Sequence, residues 1–243
     1  MTSMAEEEVQ VFKDRSFTGL TVELSKKTRM NGAQRCEYVD CELVLDPKGL
    51  PAIGREGERF WFARCSFERC TFVVKGKLRR LDLSDEIRMR DCAVSGGPLI
   101  EPWFGVRPSN ADPVPEQERP ITNCNFTKAE LRDACFYRTA WGEVQMPGWP
   151  FVSVLSQDGD AVFAPASPRL PARSVLVDEV TDHDWGSVDM RISMMSLVFG
   201  VGLRPYERQI QVCHAETLAE RGRASVDDVR AALDRFAHPA IRY

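Results

Sequence analysis

The chain has 243 residues, 43% hydrophobic and 28% charged, and its 32 Lys and Arg against 36 Asp and Glu give a net charge of −4. This composition excludes a disordered polymer, a collagen-like fibre and a strongly basic nucleic-acid-binding protein. A chain of this length buries roughly 70% of the surface that its unfolded form exposes, which is enough to fold without disulfide bonds. Its eight cysteines therefore need another explanation.

No targeting signal or membrane span is visible in the sequence. The N-terminal segment is acidic, with three consecutive Glu at positions 6–8, where a secretory signal has a basic segment followed by an apolar one. The longest apolar stretch, 194–203, is about half the length of a bilayer-spanning helix of ~20 residues. We therefore expect a cytoplasmic protein without a membrane span, whose thiols stay reduced.

The first predicted elements follow a period of five that the cysteines reveal. Cys36 and Cys41 are five residues apart, as are Cys65 and Cys70. Written in fives, residues 60–74 read Phe-Trp-Phe-Ala-Arg, Cys-Ser-Phe-Glu-Arg and Cys-Thr-Phe-Val-Val, so that the third place is always Phe. The same frame fits residues 36–45, 87–96 and 124–143, which makes eleven pentads in all.

In nine of these pentads the first place is Cys, Ala or Thr, the exceptions being Phe60 and Ile87, and in all of them the third place is large and apolar. Neither a 3.6-residue helix nor a two-residue strand period turns places one and three inward over many repeats, whereas a four-sided coil of short strands does. Stacked coils would pair their backbones at about 4.8 Å. The frame predicts a core of Cys36, Tyr38, Cys41, Leu43, Phe62, Cys65, Phe67, Cys70, Phe72, Met89, Cys92, Val94, Cys124, Phe126, Leu131, Phe136 and Trp141.

This pattern resembles the pentapeptide-repeat family, and the match is strongest over the four consecutive pentads of residues 124–143. The resemblance implies a mainly β fold, a short right-handed β-helix over residues 1–143. The earliest coil is expected around Phe12, Phe17 and Val22, and loop insertions are expected where the frame is lost, at 46–59 and 97–123.

Insertions in a repeat protein often lie on its binding face. The longer insertion is rich in proline and carries two aromatic residues, so it either covers a sheet edge or contacts a partner. A basic cluster precedes it in the chain. The residues predicted to contact a partner are Trp103, Phe104 and Arg107 in the insertion, with Lys75, Lys77, Arg79 and Arg80 in the cluster.

The remaining residues, 144–243, are expected to form an α+β cap on the last coil. Segments 151–155 and 161–164 flank an Asp-Gly turn and predict a β-hairpin, with a third strand at 174–177. Pro205 and Gly222 bound a predicted helix, and Ser225 is the expected N-cap of a second helix that ends near His238. Residues 190–201 fit either a strand or a helix.

Few residues are arranged for catalysis. Asp182, His183 and Asp184 form a dense polar cluster, which a solvated turn also explains. Sulfur atoms about 4.8 Å apart in stacked coils would be too distant for zinc, in which bonds of ~2.3 Å bring sulfurs closer. We therefore expect no metal and no other cofactor.

The predicted function is that of a non-enzymatic protein-binding scaffold, most specifically an immunity protein that neutralises a bacterial toxin or effector domain by direct binding. Two alternatives stay open: a gyrase-binding protein that mimics DNA, as some members of the resembled family do, and a small hydrolase or metal enzyme using residues 182–184. DNA mimicry needs a strongly acidic surface. Residues 1–143 hold 22 Lys and Arg against 23 Asp and Glu, so direct nucleic-acid binding and mimicry are both disfavoured.

Overall fold

The computed structural model describes residues 10–50, 60–106, 120–156, 209–222, 225–236 and 241–243. In these residues the chain is mainly β, with parallel sheets and few helices. The expected turn and strand at 158–177, the segment 190–201 and the Asp182-His183-Asp184 cluster lie outside the described residues.

Short strands follow one another with sharp bends between them. In chain order they are β1 (Gln10–Lys13), β2 (Ser16–Thr18), β3 (Thr21–Leu24), β4 (Met30–Gln34), β5 (Glu37–Val39), β6 (Glu42–Leu45), β7 (Trp61–Ala63), β8 (Ser66–Glu68), β9 (Thr71–Val74), β10 (Leu78–Arg79), β11 (Asp82–Asp85), β12 (Arg88–Arg90), β13 (Ala93–Ile100), β14 (Trp103–Gly105), β15 (Ile121–Thr122), β16 (Cys124–Arg132), β17 (Ala134–Tyr137), β18 (Val144–Gln145), β19 (Phe151–Ser156), β20 (Gln209–His214) and β21 (Ile241–Arg242).

Three sheets receive these strands in turn. The first sheet runs β1-β4-β7-β11-β14-β17 and continues through β20, β19 and β21. The second runs β2-β5-β8-β12-β15, and the third runs β3-β6-β9-β13-β16-β18, with β10 also paired to β13. Pairing is parallel throughout residues 10–145, and the partners are equivalent places of successive pentads, such as Tyr38 with Phe17 and Phe67.

The third place of each pentad points into one shared core. Of the predicted core residues all but Trp141 are buried, and Trp141 packs against the core while Arg242 lies over its ring, 4.2 Å from the centroid. Tyr38 stacks between Phe17 and Phe67 at centroid distances of 4.9 and 5.0 Å. Burying one such side chain contributes about 1.5–3 kcal/mol, so repeated third places account for much of the stability.

Cysteine suits the first place because its thiol completes the bend. The Sγ atoms of Cys36 and Cys65 donate to the carbonyl oxygens two residues earlier, on Gln34 and Ala63, at 3.4 and 3.3 Å. Cys41, Cys70, Cys92 and Cys124 make the same contact. The residue just before the first place has a positive φ, as at Arg35, which turns the chain into the next strand.

Glycine is required where two backbones approach closely. Gly96 in β13 has a φ of +83°, and a Cβ there would lie 2.2 Å from the carbonyl oxygen of Val74. This position bends β13, whose first half pairs with β9 and whose last residues pair with β10.

The predicted insertion at 97–123 is wrong in its first part. Residues 97–100 continue β13, and β14 follows before the described chain stops at Val106. Leu99 and Phe104 are fully buried. Each occupies the third position of a further pentad, which the interrupted sequence pattern did not reveal. Phe104 is therefore a core residue and cannot contact a partner.

The C-terminal region begins with a 3-10 helix, Trp141–Glu143, and changes the direction of pairing. β20 is antiparallel to β17 on one side and to β19 on the other, so the edge of β17, the last parallel strand, is covered. The helix expected from Pro205 is wrong at 209–214, because these residues form β20, which pairs with β17 and β19 and buries Ile210 and Val212. Cys213 is also fully buried.

Two helices follow this strand, α1 (Ala215–Gly222) and α2 (Val226–Phe236). The predicted N-cap is confirmed at Ser225: its hydroxyl accepts from the Asp228 amide at 3.1 Å, and its own amide donates to the Asp228 carboxylate at 3.0 Å. Leu218, Val229 and Leu233 belong to the buried core, so the helices are packed onto the strands.

Candidate functional site: an arginine pocket at the first bend

A pocket of about 480 Å³ lies where the chain bends from the first sheet into the second. We call it the arginine pocket. Its lining comes from three successive turns of the chain and from the two ends of the insertion: Arg35, Cys36, Glu37, Arg64, Cys65, Ser66, Glu86, Ile87, Arg88, Val106 and Pro120.

One wall of the pocket is a row of side chains on the second sheet. Glu37 on β5 pairs in register with Ser66 on β8, which pairs in register with Arg88 on β12. Neighbouring strands are about 4.8 Å apart, so Glu37 and Arg88 are separated by roughly 10 Å along the stack. The hydroxyl of Ser16, one strand further, donates to the Glu37 carboxylate at 3.3 Å.

The other wall consists of the bend residues Arg35, Arg64 and Glu86, all with φ between +51° and +53°. Arg35 holds Asp14 through two bonds, from Nε at 2.5 Å and from Nη2 at 2.7 Å. These hydrogen bonds keep the pKa of the Asp14 carboxyl below its usual range and raise the pKa of the Arg35 guanidinium. The Arg35 and Asp14 side chains are nevertheless 48% and 58% exposed.

Arg64 makes longer contacts with its carboxylate partner, Glu86. Its Nε lies 3.1 Å from Glu86 Oε2, and its Nη2 donates to Oε1 at 3.4 Å. The two side chains are 58% and 59% exposed. Exposed ion pairs contribute about 0–1 kcal/mol, so this one opens at little cost.

The rim of the pocket joins the longer insertion. The chain leaves the described region at Val106 and re-enters it at Pro120, and both residues line the pocket. Arg107, predicted to contact a partner, lies outside the described residues.

The basic cluster predicted from the sequence lies elsewhere, after β9 and along β10. Arg79 and Arg80 bind the carboxylate of Glu101 at 3.1 and 3.2 Å. Burial alone would raise the pKa of Glu101, but the hydrogen bonds from the two arginines lower it overall. Lys75 and Lys77 are exposed.

Trp103 stands on the outward face of the first sheet. It pairs in register with Asp82, which pairs in register with Trp61, and both indoles are partly exposed. Trp103 is on β14, whereas Lys75 and Lys77 lie between β9 and β10.

Sequence reasoning missed Arg64, Glu86 and Arg88. A signal was present, since the residue before the first place of a pentad is repeatedly charged, as at Arg35, Asp40, Arg64 and Arg69. Which of these charged residues become neighbours depends on strand register. The register in turn depends on how many residues of each insertion lie outside the paired strands.

Cys36 and Cys65 line the pocket, but neither residue is exposed. All eight cysteines are free and buried, and burial raises the pKa of the Cys65 thiol to about 11. Among the described residues no group of three or more His, Cys, Asp or Glu is arranged to hold a metal ion. No helix in the described ranges is long and apolar enough to cross a membrane.

Comparisons of the chain with protein-family models, with curated proteins and with solved structures found no match.

Proposed function

We propose that this chain is a non-enzymatic protein-binding scaffold and that the arginine pocket is part of its binding face. The observation that carries the proposal is the exposed ion pair of Arg64 and Glu86, in a pocket with paired strands on one side and bend residues on the other. Arginine is enriched at protein interfaces and at their most energetic positions. A surface already ordered before binding loses less entropy when a partner docks.

The scaffold we propose is a short right-handed β-helix, each turn of which contributes one strand to each of the three sheets. Its support is the return of the chain to the sheets in a constant order, with equivalent pentad places paired from β1 to β17 and register shifts at β1, β11 and β13. Parallel strands joined by a crossover connection are right-handed in about 98% of cases. In such a scaffold the bend residues would stack as continuous columns, which would make the binding face rigid.

The specific role we propose is toxin neutralisation, with the toxin or effector domain held directly against this face. Support comes from the nature of the face, because mixed arginine and carboxylate side chains on ordered backbone favour a specific protein partner. The test is co-expression with the toxin-like product of the neighbouring gene. Wild-type chain should restore growth and should co-purify with that product as a stable complex.

The matched control is the same co-expression with the Leu131→Asp variant, which we expect not to fold. Growth restored by the folded chain and not by this variant supports binding as the mechanism. Growth that stays inhibited, with no complex recovered from cells containing folded chain, contradicts the toxin-neutralising role.

A further inference from the structure

The outer edges of β1, β2 and β3 form one surface, which we call the leading edge. In the described part of the chain each of these strands ends its sheet and pairs on one side only, with β4, β5 and β6 respectively. The last parallel strand of the first sheet differs, because β20 covers the edge of β17. An unpaired strand edge is a template for pairing with another chain, so the leading edge is a candidate interface.

On β2 the backbone groups of every second residue face this edge. The Arg15 carbonyl accepts from β5 at 2.8 Å, and the Gly19 amide donates to β5 at 3.0 Å. Successive residues of a strand in a parallel ladder direct their N–H and C=O groups to opposite sides. Phe17 therefore also faces β5, and Ser16 and Thr18 present their backbone N–H and C=O groups at the leading edge.

The same alternation holds on β1 and β3. The Asp14 amide donates to β4 at 3.0 Å, and the Leu20 carbonyl accepts from β6 at 2.9 Å. The strand residues that alternate with these positions face outward. The six residues with outward backbone groups are Val11, Lys13, Ser16, Thr18, Thr21 and Glu23.

Apolar side chains lie behind these backbone groups. Phe12, Phe17 and Val22 occupy the third places of the first turn. Phe17 stacks on Tyr38 at a centroid distance of 4.9 Å, yet Phe17 and Phe12 are only partly buried, whereas Tyr38 is fully buried. Leu20 beside them is 53% exposed. A further layer of strands on this edge would remove apolar surface from water, which favours association.

A two-fold axis through Phe17 makes this edge complementary to a second copy of itself. β2 then pairs antiparallel with β2 of the second copy, and Ser16 and Thr18 exchange both hydrogen bonds across the axis. Because the third places recur every five residues, the same axis sets Phe12 opposite Val22 of the second copy. The outward residues of β1 likewise meet those of β3. Donors, acceptors and apolar side chains thus match in one register.

Charged side chains fit the same register. Lys13 stands opposite Thr21 of the second copy and diagonal to its Glu23, and diagonal neighbours about 7–8 Å apart are within reach of long side chains. Lys13 is exposed and Glu23 is half-buried. The two-fold axis repeats this pair on the other side of the interface. The charge complementarity therefore favours a second copy over a strand of unrelated sequence.

We propose that two copies of this chain form a homodimer through the leading edge, antiparallel about the axis at Phe17. The inference uses the β-helix proposed above, in which the three edges face the same way. It goes beyond toxin neutralisation, because none of the residues that line the arginine pocket belongs to β1, β2 or β3. A second copy and a toxin would therefore occupy different surfaces.

Sedimentation velocity of the full chain up to about 1 mM tests the proposal. We expect wild type to sediment as a dimer at high concentration and as a monomer on dilution. Thr18→Pro removes an outward N–H that the sheet does not use, so the fold should survive. This variant should stay monomeric throughout the range while keeping the cooperative thermal transition of wild type.

A charge exchange tests the register. Lys13→Glu turns two attractive pairs into repulsive ones and should raise the dissociation constant of the dimer about tenfold. Lys13→Glu/Glu23→Lys should return it to the wild-type value. The control is Lys77→Glu, which makes the same change of net charge at an exposed position on another turn and should leave the dissociation constant unchanged.

Wild type that stays monomeric at the highest concentration would overturn the proposal, as would a folded Thr18→Pro variant that dimerises like wild type. If Thr18→Pro does not fold, the charge exchange decides, and a double variant that associates no better than Lys13→Glu contradicts the interface. No toxin takes part, so failure here and failure of toxin neutralisation are observed separately.

Discussion

The parallel sheets of residues 10–137 and the described strands and helices after Val144 bury their apolar side chains with different spacings. In the sheets one large side chain enters the core every five residues, as Phe67 and Phe72 do. In the C-terminal region β20 buries Ile210 and then the consecutive residues 212–214, while α2 buries Val229 and Leu233, four apart. A repeated spacing can be recognised in a sequence from its recurrences, whereas a spacing used once has nothing to be compared with.

The largest effect expected in this comparison is on the repeated core. Leu131→Asp places a charge at a third place that is fully buried, and an uncompensated buried charge costs more than typical folding stability. We expect loss of the folded state, measured as loss of the cooperative thermal transition in circular dichroism. Lys128→Asp, on an exposed place of the same strand, is the control and should fold. A native-like transition for Leu131→Asp would contradict the five-residue frame.

A smaller but substantial effect is expected at the bend of β13. Gly96→Ala puts a Cβ against the Val74 carbonyl oxygen in a left-handed backbone conformation. The free energy of unfolding should fall by about 3 kcal/mol, measured by urea denaturation. Gly142→Ala, where a Cβ would meet nothing within 4 Å, should change it by much less. Equal effects of the two substitutions would argue against close backbone approach at β13.

In the C-terminal region a single substitution should act more weakly. Ser225→Ala removes the N-cap of α2 and should lower the free energy of unfolding by about 1 kcal/mol. Ser225→Thr keeps the hydroxyl and should restore most of that loss. If Ser225→Ala lowers the free energy of unfolding as much as Gly96→Ala does, the C-terminal region is as sensitive to a single substitution as the parallel sheets are.

The smallest effect expected is a pH dependence carried by His214. Burial lowers the pKa of this imidazole, whose Nδ1 accepts from the Glu216 amide at 3.2 Å, while Glu216 and Glu130 oppose the shift and Arg132 reinforces it. The unfolded chain therefore takes up the proton first, and stability falls as pH drops below the ordinary histidine pKa of about 6.5. Denaturation of wild type and His214→Gln between pH 7.5 and 5.5 measures this. An equally steep decline in the variant would exclude His214 as the cause.

The sequence predicted the inward positions of the sheets because first and third places recur. It mispredicted Gln209–His214 as part of a helix, because those few residues satisfy both a helical stripe and an alternation, and only the neighbouring edges of β17 and β19 decide between them. The charged bend residues were visible as a pattern, yet the pocket was not. Arg64 and Glu86 become neighbours because successive strands pair. The register of that pairing depends on which residues between the pentads lie outside the strands.

The central claim is that the arginine pocket, rather than the basic cluster after β9, binds the partner. The most direct measurement is the dissociation constant of the complex with the proposed toxin partner, for two variants of equal charge, Arg64→Gln/Arg88→Gln and Lys75→Gln/Lys77→Gln. We predict that the first pair weakens binding by roughly 100-fold, as expected for two charge-assisted contacts, and that the second leaves it nearly unchanged. Weakening by the lysine pair with no change in the arginine pair would contradict the assignment.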